Sequence, residues 1–103
     1  MDNKYNRLSK SLKVLSDPKR LEILDMVSCD RMCACEILEK FDISQPTLSY
    51  DMKKLEEIGL VKSFREGKKV FYIIARENFD KLIGDLKEIG LFSDSCICKR
   101  VEA

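Results

Sequence analysis

A chain of 103 residues with 45% hydrophobic and 36% charged side chains has the composition of a small globular domain, which excludes an intrinsically disordered chain. Its apolar runs are too short to span a membrane, and the opening MDNKYNRLSK lacks the apolar segment of a secretion signal, so we expect a cytoplasmic protein without a membrane partner. The absence of histidine excludes Cys-His nucleophile pairs and mixed Cys/His zinc sites, and the net charge of +1 by itself indicates no partner.

Three helices are predicted in the first 40 residues. Apolar residues at spacings of three and four indicate the first helix, and they are Tyr5, Leu8, Leu12 and Leu15. The segment SDPKRLEILDMV begins the second helix, because Ser16 or Asp17 can act as N-cap ahead of Pro18. After a break at CDR, a short third helix is expected over residues 32–40.

The second half of the chain predicts a helix, a hairpin and a final helix. Ser44 is a suitable N-cap for the fourth helix, which ends at Gly59. The apolar period then changes from 3.6 to about 2, since LVKSFR and KVFYIIA flank EGKK, and this predicts a β-hairpin with Gly67 in its turn. The last helix is expected over about 78–90, and a flexible tail containing two cysteines over about 91–103.

This order of elements predicts a winged helix-turn-helix in a single domain over residues 1–103. The fold class is mainly α (α+β), with about five helices plus a two-stranded β-hairpin wing. Because one such unit makes few contacts with DNA, we expect a homodimer on double-stranded operator DNA. The apolar stripes predict that the dimer forms through the first and last helices.

Charge is distributed in a way that favours DNA binding, because residues 44–76 carry seven basic and four acidic side chains. The alternative is that these charged and polar side chains are simply a solvated surface without a partner. Asp51 does not suit a DNA-facing helix, and near the edge of the buried stripe it could instead pair with a neighbouring lysine. The candidate DNA contacts on the helix over 44–57 and on the wing are Ser44, Gln45, Thr47, Ser49, Tyr50, Lys53, Lys54, Arg65, Lys68 and Lys69.

The cysteines form a second candidate site. Cys33 and Cys35 would point about 200° apart on an ideal helix, so binding one ion together requires the start of the third helix to distort. Such competition between helix and ligand could act as a switch. Alternatively, the two thiols serve different sites or pair with other cysteines. Thiolates favour thiophilic ions over Mg²⁺ or Ca²⁺, and further ligands could come from Cys29, Cys96 or Cys98.

Two other uses of the thiols remain as alternatives. A redox sensor would form disulfides, and because a ring between cysteines two residues apart is strained, pairing between different segments is expected. A thiol enzyme is disfavoured, since the chain has no Cys-x-x-Cys, no βαβ unit and no histidine to activate a thiolate. We therefore expect no enzymatic activity.

Four segments resemble the ArsR/SmtB family of bacterial metal-responsive winged-helix repressors. They are LSDPKRLEIL at 15–24, MCACEIL at 32–38, ISQPTLSYDMKKLEEIGLV at 43–61 and REGKKVFYII at 65–74. The resemblance implies a homodimeric transcriptional repressor that binds its operator when free and releases it when an inducer binds.

The position of Cys33 and Cys35 resembles the inducer site of arsenite/antimonite-responsive and cadmium/lead-responsive members. This implies an arsenical-resistance repressor induced by As(III) or Sb(III), with Cd(II) or Pb(II) as the alternative and no permanent cofactor. The arsenite motif often continues with a cysteine where this chain has Leu38, so a third ligand must come from elsewhere. Cadmium-type members often bring cysteines from an N-terminal extension, and the resemblance implies Cys96 and Cys98 as their natural substitute here.

Overall fold

Five helices and a three-stranded antiparallel sheet make up the described part of the chain, residues 3–91 of the computed structural model. The predicted tail therefore lies almost wholly outside the described residues. In chain order the elements are α1 (Lys4–Leu15), α2 (Pro18–Cys29), β1 (Met32–Cys33), α3 (Ala34–Lys40), α4 (Gln45–Glu57), β2 (Val61–Glu66), β3 (Lys69–Ile74) and α5 (Arg76–Ile89).

Side-chain caps begin four of the five helices, namely α1, α2, α3 and α4. Asn3 caps α1, Asp17 caps α2 by accepting a hydrogen bond from the Lys19 N–H at 2.9 Å, and Ser44 caps α4. The sequence predicted the last two of these caps, with Asp17 as one of two candidates. Each cap satisfies backbone N–H groups that have no partner within the helix.

Helix α5 begins at Arg76, slightly earlier than the predicted start near Asn78. Asn78 lies within the first turn of this helix, and its Nδ2 donates to the carbonyl oxygen of Gly59 at 2.7 Å. The N-cap residue is Ala75, whose carbonyl accepts the Phe79 N–H at 2.9 Å and whose side chain makes no capping hydrogen bond.

The sheet has the strand order β1-β3-β2, with all pairs antiparallel. Strands β2 and β3 are the predicted hairpin, and Gly67 occupies its turn with a φ of 64°. The expected two-stranded hairpin gains a third strand, β1, and the helix expected over roughly residues 32–40 is present but begins at Ala34. Met32 and Cys33 pair with Tyr72 and Phe71 of β3, and two residues are too few to show a strand period in the sequence.

The core lies between α2, α3, α4 and the sheet. Its fully buried side chains are Ile23, Val27, Ile37, Leu48, Met52, Leu55 and Leu60. Helices α1 and α5 pack together at one edge, and the Lys4 ammonium lies 3.0 Å from Glu88 across them. Both leave apolar side chains exposed, namely Tyr5, Leu12, Ile83, Leu86 and Ile89. None of the helices within residues 3–91 has the length and hydropathy needed to cross a bilayer.

Candidate nucleic-acid interface and thiol site

Helix α4 presents a polar face to solvent opposite its buried stripe. Leu48, Met52 and Leu55 are buried, whereas the candidate contacts Gln45, Ser49, Tyr50 and Lys53 are exposed. The four-residue connection from α3 places α4 as the second helix of a helix-turn-helix, the position that enters the major groove in this motif. The exposed face can therefore hydrogen-bond to base edges and neutralise phosphate.

Two predicted DNA contacts at the start of α4 are already engaged in capping. The Ser44 Oγ accepts the Thr47 N–H at 3.3 Å and lies 3.0 Å from the Thr47 Oγ1. Their hydroxyls organise the N-terminus of the helix, where the remaining N–H groups can receive a phosphate oxygen.

Tyr50 lies between two cations on the outer face of α4. The Lys54 Nζ is 5.3 Å from the centre of its ring, and the Arg20 guanidinium carbon is 5.9 Å from it. Both distances suit a cation–π interaction. The ring is 56% exposed, so its hydroxyl is accessible while its orientation is restrained.

The wing carries basic side chains at its tip. Arg65, Lys68 and Lys69 are all exposed there, as the sequence predicted. The carboxylate of Glu66 forms an ion pair with Arg31, and this hydrogen bond raises the pKa of the Arg31 guanidinium. The acidic side chain next to the wing turn is therefore neutralised by a residue from outside the hairpin.

Arg31 also stacks on the aromatic side chains of the wing. Its guanidinium carbon lies 4.5 Å from the centre of the Phe71 ring and 5.7 Å from that of Phe64. The two rings stack on each other with centres 5.7 Å apart. Because Arg31 directly precedes β1, these contacts connect the start of the thiol segment to both strands of the hairpin.

Asp51 is buried, with only 2% of its surface exposed. The Arg20 Nε lies 3.0 Å from Asp51 Oδ1, and the Lys19 Nζ lies 2.9 Å from Oδ2. Asp51 does pair with a lysine, as the sequence allowed, but Lys19 and its companion Arg20 come from the first turn of α2 and not from a neighbouring position in α4. This arrangement resolves the apparent conflict with DNA binding, since the carboxylate faces the protein interior.

The backbone brings the two sulfurs of Cys33 and Cys35 together. The structure pairs them as a disulfide, with Cα atoms 5.2 Å apart. Cys33 is buried and has the extended backbone of an N-cap, whereas Cys35 is exposed within the first turn of α3. Both the predicted distortion of the helix and the predicted pairing between different segments were therefore wrong, because Cys33 lies outside the helix.

Cys33 caps α3 as well as ending β1. Its Sγ accepts the Cys35 N–H at 3.3 Å, and its own N–H donates to the Glu36 Oε1 at 2.8 Å. This reciprocal pattern is a capping box, with a thiol in the place usually taken by a hydroxyl. Any ligand of the Cys33 sulfur therefore acts at the junction of β1 and α3.

The other cysteines do not extend this pair within the described chain. Cys29 is exposed at the end of α2, where its Sγ lies 4.0 Å from the Ser28 Oγ. Residues 3–91 contain no group of three or more Cys, Asp or Glu side chains placed to hold a metal ion. Cys96 and Cys98 lie outside the described residues, so the described chain provides two converging sulfurs.

Sequence reasoning missed Lys19, Arg20 and Arg31. A signal was present for the first two, because cations in the first turn of a helix are disfavoured by its dipole and so indicate a partner elsewhere. For Arg31 the signal was only its position directly before the Cys-x-Cys segment.

Comparisons with known proteins agree with this architecture. Residues 17–63 match the model of the bacterial regulatory protein arsR family. The chain is 44% identical over 99 residues to the arsenical resistance operon repressor of Staphylococcus aureus, covering 96% of this chain and 95% of the relative. It is 46% identical to the repressor of the same name from Staphylococcus xylosus, with the same coverage. The chain belongs to the ArsR family.

Other relatives and solved structures match this chain at lower sequence identity. The cadmium resistance transcriptional regulatory protein CadC of Listeria innocua is 38% identical over 65% of this chain and 57% of its own length. An ArsR-like transcriptional regulator from Rhodococcus has a TM-score of 0.73 at 26% identity, covering 84% of this chain and 81% of its own. A homodimeric winged helix-turn-helix DNA-binding domain from Mycobacterium bovis has a TM-score of 0.68 at 26% identity, covering 84% and 80%. These findings confirm the winged-helix fold and make the chain a DNA-binding repressor of the ArsR family.

Proposed function

We propose that this ArsR-family repressor senses trivalent arsenic or antimony through Cys33 and Cys35 and then releases its operator. The observation that carries the proposal is the convergence of the two sulfurs at the junction of β1 and α3. The kinship with arsenical resistance operon repressors over nearly the full chain supports this choice of inducer.

The donor set suits a thiophilic inducer. Two sulfurs converge at the start of α3, and thiolates favour a soft, thiophilic ion. A further thiolate is required for three-coordinate arsenic, and we propose that Cys96 or Cys98 supplies it, from the same subunit or its partner. Cys29 is the remaining candidate and would need to approach from the end of α2.

The position of the site suggests how ligand binding reaches the DNA-binding surface. Cys33 pairs with Phe71 of β3, so a displacement of Cys33 acts on the wing. The same residue caps α3, which packs against α4, so a loss of the cap acts on the recognition helix. A sulfur that binds an ion has less electron density for the Cys35 N–H, and ligand binding therefore competes with the cap.

We further propose that two chains form the repressor through the exposed apolar faces of α1 and α5. Tyr5 and Leu12 on α1 lie beside Leu86 and Ile89 on α5, and together they line one groove. A continuous apolar surface of this kind is typical of a protein interface. Each recognition helix would then contact one half of a two-fold operator.

The test is operator release by a panel of inducers. The probe is a fluorescent DNA duplex that the chain itself selects from a random library, and release is measured by anisotropy. We expect arsenite and antimonite to release the duplex from the reduced protein at concentrations comparable with that of the protein. Retention of the complex when arsenite saturates the thiols would contradict the proposal, and release by Cd²⁺ or Pb²⁺ alone would identify the cadmium-type alternative.

A thiol-redox sensor is the second candidate function, and the pairing of Cys33 with Cys35 favours it. Peroxide added to the reduced protein in the same assay separates the two candidates. Release by peroxide, with a mass decrease of two hydrogens in the peptide that contains both cysteines, would support redox sensing. Release by arsenite under strictly reducing conditions, with no response to peroxide, would exclude it.

A further inference from the structure

The buried carboxylate of Asp51 breaks the local rule for its position in α4. The stripe that faces the core is otherwise apolar, and Asp51 lies within it as the one buried charged side chain of residues 3–91. Removing a carboxylate from water is unfavourable unless charged partners compensate. A leucine or methionine could fill this position in the core without that penalty.

Lys19 and Arg20 break a second local rule. They occupy the first turn of α2, where the positive end of the helix dipole disfavours cations. Both are directed at Asp51, with N–O distances of 2.9 and 3.0 Å. The buried carboxylate and the two cations in the first turn of α2 are each unfavourable alone, and they compensate each other where they meet. Such pairing between residues distant in the sequence indicates that these charges fix how α2 and α4 are oriented.

Arg20 makes two further contacts, one with α1 and one with the exposed face of α4. Its Nη1 donates to the carbonyl oxygen of Val14 at 3.1 Å, in the last turn of α1. Its guanidinium carbon lies 5.9 Å from the Tyr50 ring on the exposed face of α4. One side chain therefore contacts the end of α1, the buried side of α4 and the DNA-facing side of α4.

We propose that Asp51, with Lys19 and Arg20, is a positioning cluster that sets the orientation of the recognition helix relative to α1, and that Tyr50 is a specificity-determining contact held in place by Arg20. This inference rests on the proposed function, because it takes α1 as part of the dimer interface. In a symmetric dimer, the angle between α1 and α4 sets the distance between the two recognition helices. That distance determines which spacing of operator half-sites the repressor accepts.

The variant Asp51→Asn tests the cluster because a purely electrostatic role and a positioning role predict opposite changes in DNA affinity. Loss of a negative charge alone would strengthen DNA binding. Loss of positioning weakens it, and we expect the affinity for the selected duplex to fall about tenfold. Asp80→Asn is the matched control, since it removes the same charge from an exposed site on α5 and should not weaken binding.

Half-site spacing provides a readout that a merely stabilising role would not change. Duplexes with one base pair inserted between or deleted from the half-sites are compared with the selected duplex. We expect the wild-type chain to lose about tenfold or more in affinity on insertion, and Asp51→Asn to lose much less. The core variant Ile74→Ala controls for lower stability and should keep the wild-type preference. Unaltered spacing preference in Asp51→Asn, or an equal loss in Ile74→Ala, would overturn the proposal.

Two milder variants keep the test informative if Asp51→Asn does not fold. Arg20→Lys keeps a positive charge beside Asp51 but cannot reach Val14 and Asp51 together, so we expect a partial loss of spacing preference. Tyr50→Phe keeps the ring and its cations, and we expect it to change base preference at one position of each half-site without altering spacing. A wild-type spacing preference in Arg20→Lys would refute the positioning role, and an unchanged base preference in Tyr50→Phe would refute the specificity role.

The outcomes distinguish this inference from the proposed function. A wild-type chain that selects no duplex would contradict DNA binding itself. A chain that selects a duplex but does not release it with arsenite would contradict the inducer while leaving the spacing test intact. A chain that binds and responds to arsenite but whose Asp51→Asn variant keeps wild-type spacing preference would contradict only the positioning cluster.

Discussion

Replacing Cys33 with serine or alanine separates its two roles in the structure. Serine keeps an N-cap oxygen that can accept the Cys35 N–H, whereas alanine leaves that N–H without a partner from the side chain. Neither replacement supplies a sulfur for a thiophilic ion. We therefore expect both variants to lose the arsenite response and only the alanine variant to lose helix stability.

The size of the stability difference follows from the cap. An N-cap serine replaced by alanine typically costs about 1 kcal/mol, and the Glu36 contact to the Cys33 N–H is retained in both variants. For a domain of this size, about 1 kcal/mol corresponds to a decrease in melting temperature of roughly 4–8 °C. We expect the alanine variant to melt lower than the serine variant by that amount.

The inducer response is measured on the selected duplex with all proteins reduced. Because changing even an outer-shell partner of a ligand costs about 10–100-fold in metal affinity, loss of the Cys33 sulfur should raise the arsenite concentration for release at least that much. The control is Cys29→Ser, which alters an exposed thiol near Ser28. Wild-type arsenite release by Cys33→Ser, at unchanged operator affinity, would refute the assignment of this sulfur as a ligand.

Three further predictions follow from charge and burial. Lys68→Gln at the wing tip should reduce the salt dependence of operator binding by about one unit of slope, measured by anisotropy between low and moderate salt. Burial, with a smaller effect of the Glu56 charge, raises the pKa of Tyr72 above 10.0, so the stability from its neutral phenol is complete below pH 10 and is lost above it. Tyr72→Phe should therefore flatten the fall in melting temperature as the pH rises above 10.0. Arg31→Met leaves Glu66 unpaired beside the wing and should weaken operator binding roughly threefold at low salt, with a smaller effect at high salt.

Elements with a strong local signal were predictable from the sequence. The period of 3.6 residues located α4, Ser44 located its start, and the change of period with Gly67 located the hairpin. These features depend on residues within one turn or one hairpin of each other, so local chemistry determines them. The exposed basic tip of the wing followed from the same local reasoning.

Features that depend on distant partners were not predictable. The strand β1 has two residues and exists because Met32 and Cys33 pair with Tyr72 and Phe71 of β3, far along the chain. Asp51 looked misplaced because its partner Arg20 lies 31 positions earlier. Cys33 looked helical because the short helix had no clear cap, and only the extended backbone of the structure places its sulfur beside that of Cys35.

Selective pairing of charges explains how a chain of net charge +1 can present a basic surface to DNA. Asp51 is buried with Lys19 and Arg20, and Arg31 pairs with Glu66, so these acidic groups contribute little field to the face that contains α4 and the wing. Lys53, Arg65, Lys68 and Lys69 lie exposed on that face. Net charge sums over the whole surface, whereas DNA affinity depends on the local potential near the phosphates. Because Arg31 also adjoins the thiol segment, an inducer that displaces Arg31 would leave Glu66 unpaired. The free carboxylate would lower the positive potential of this face, and the wing would lose its contacts with Arg31.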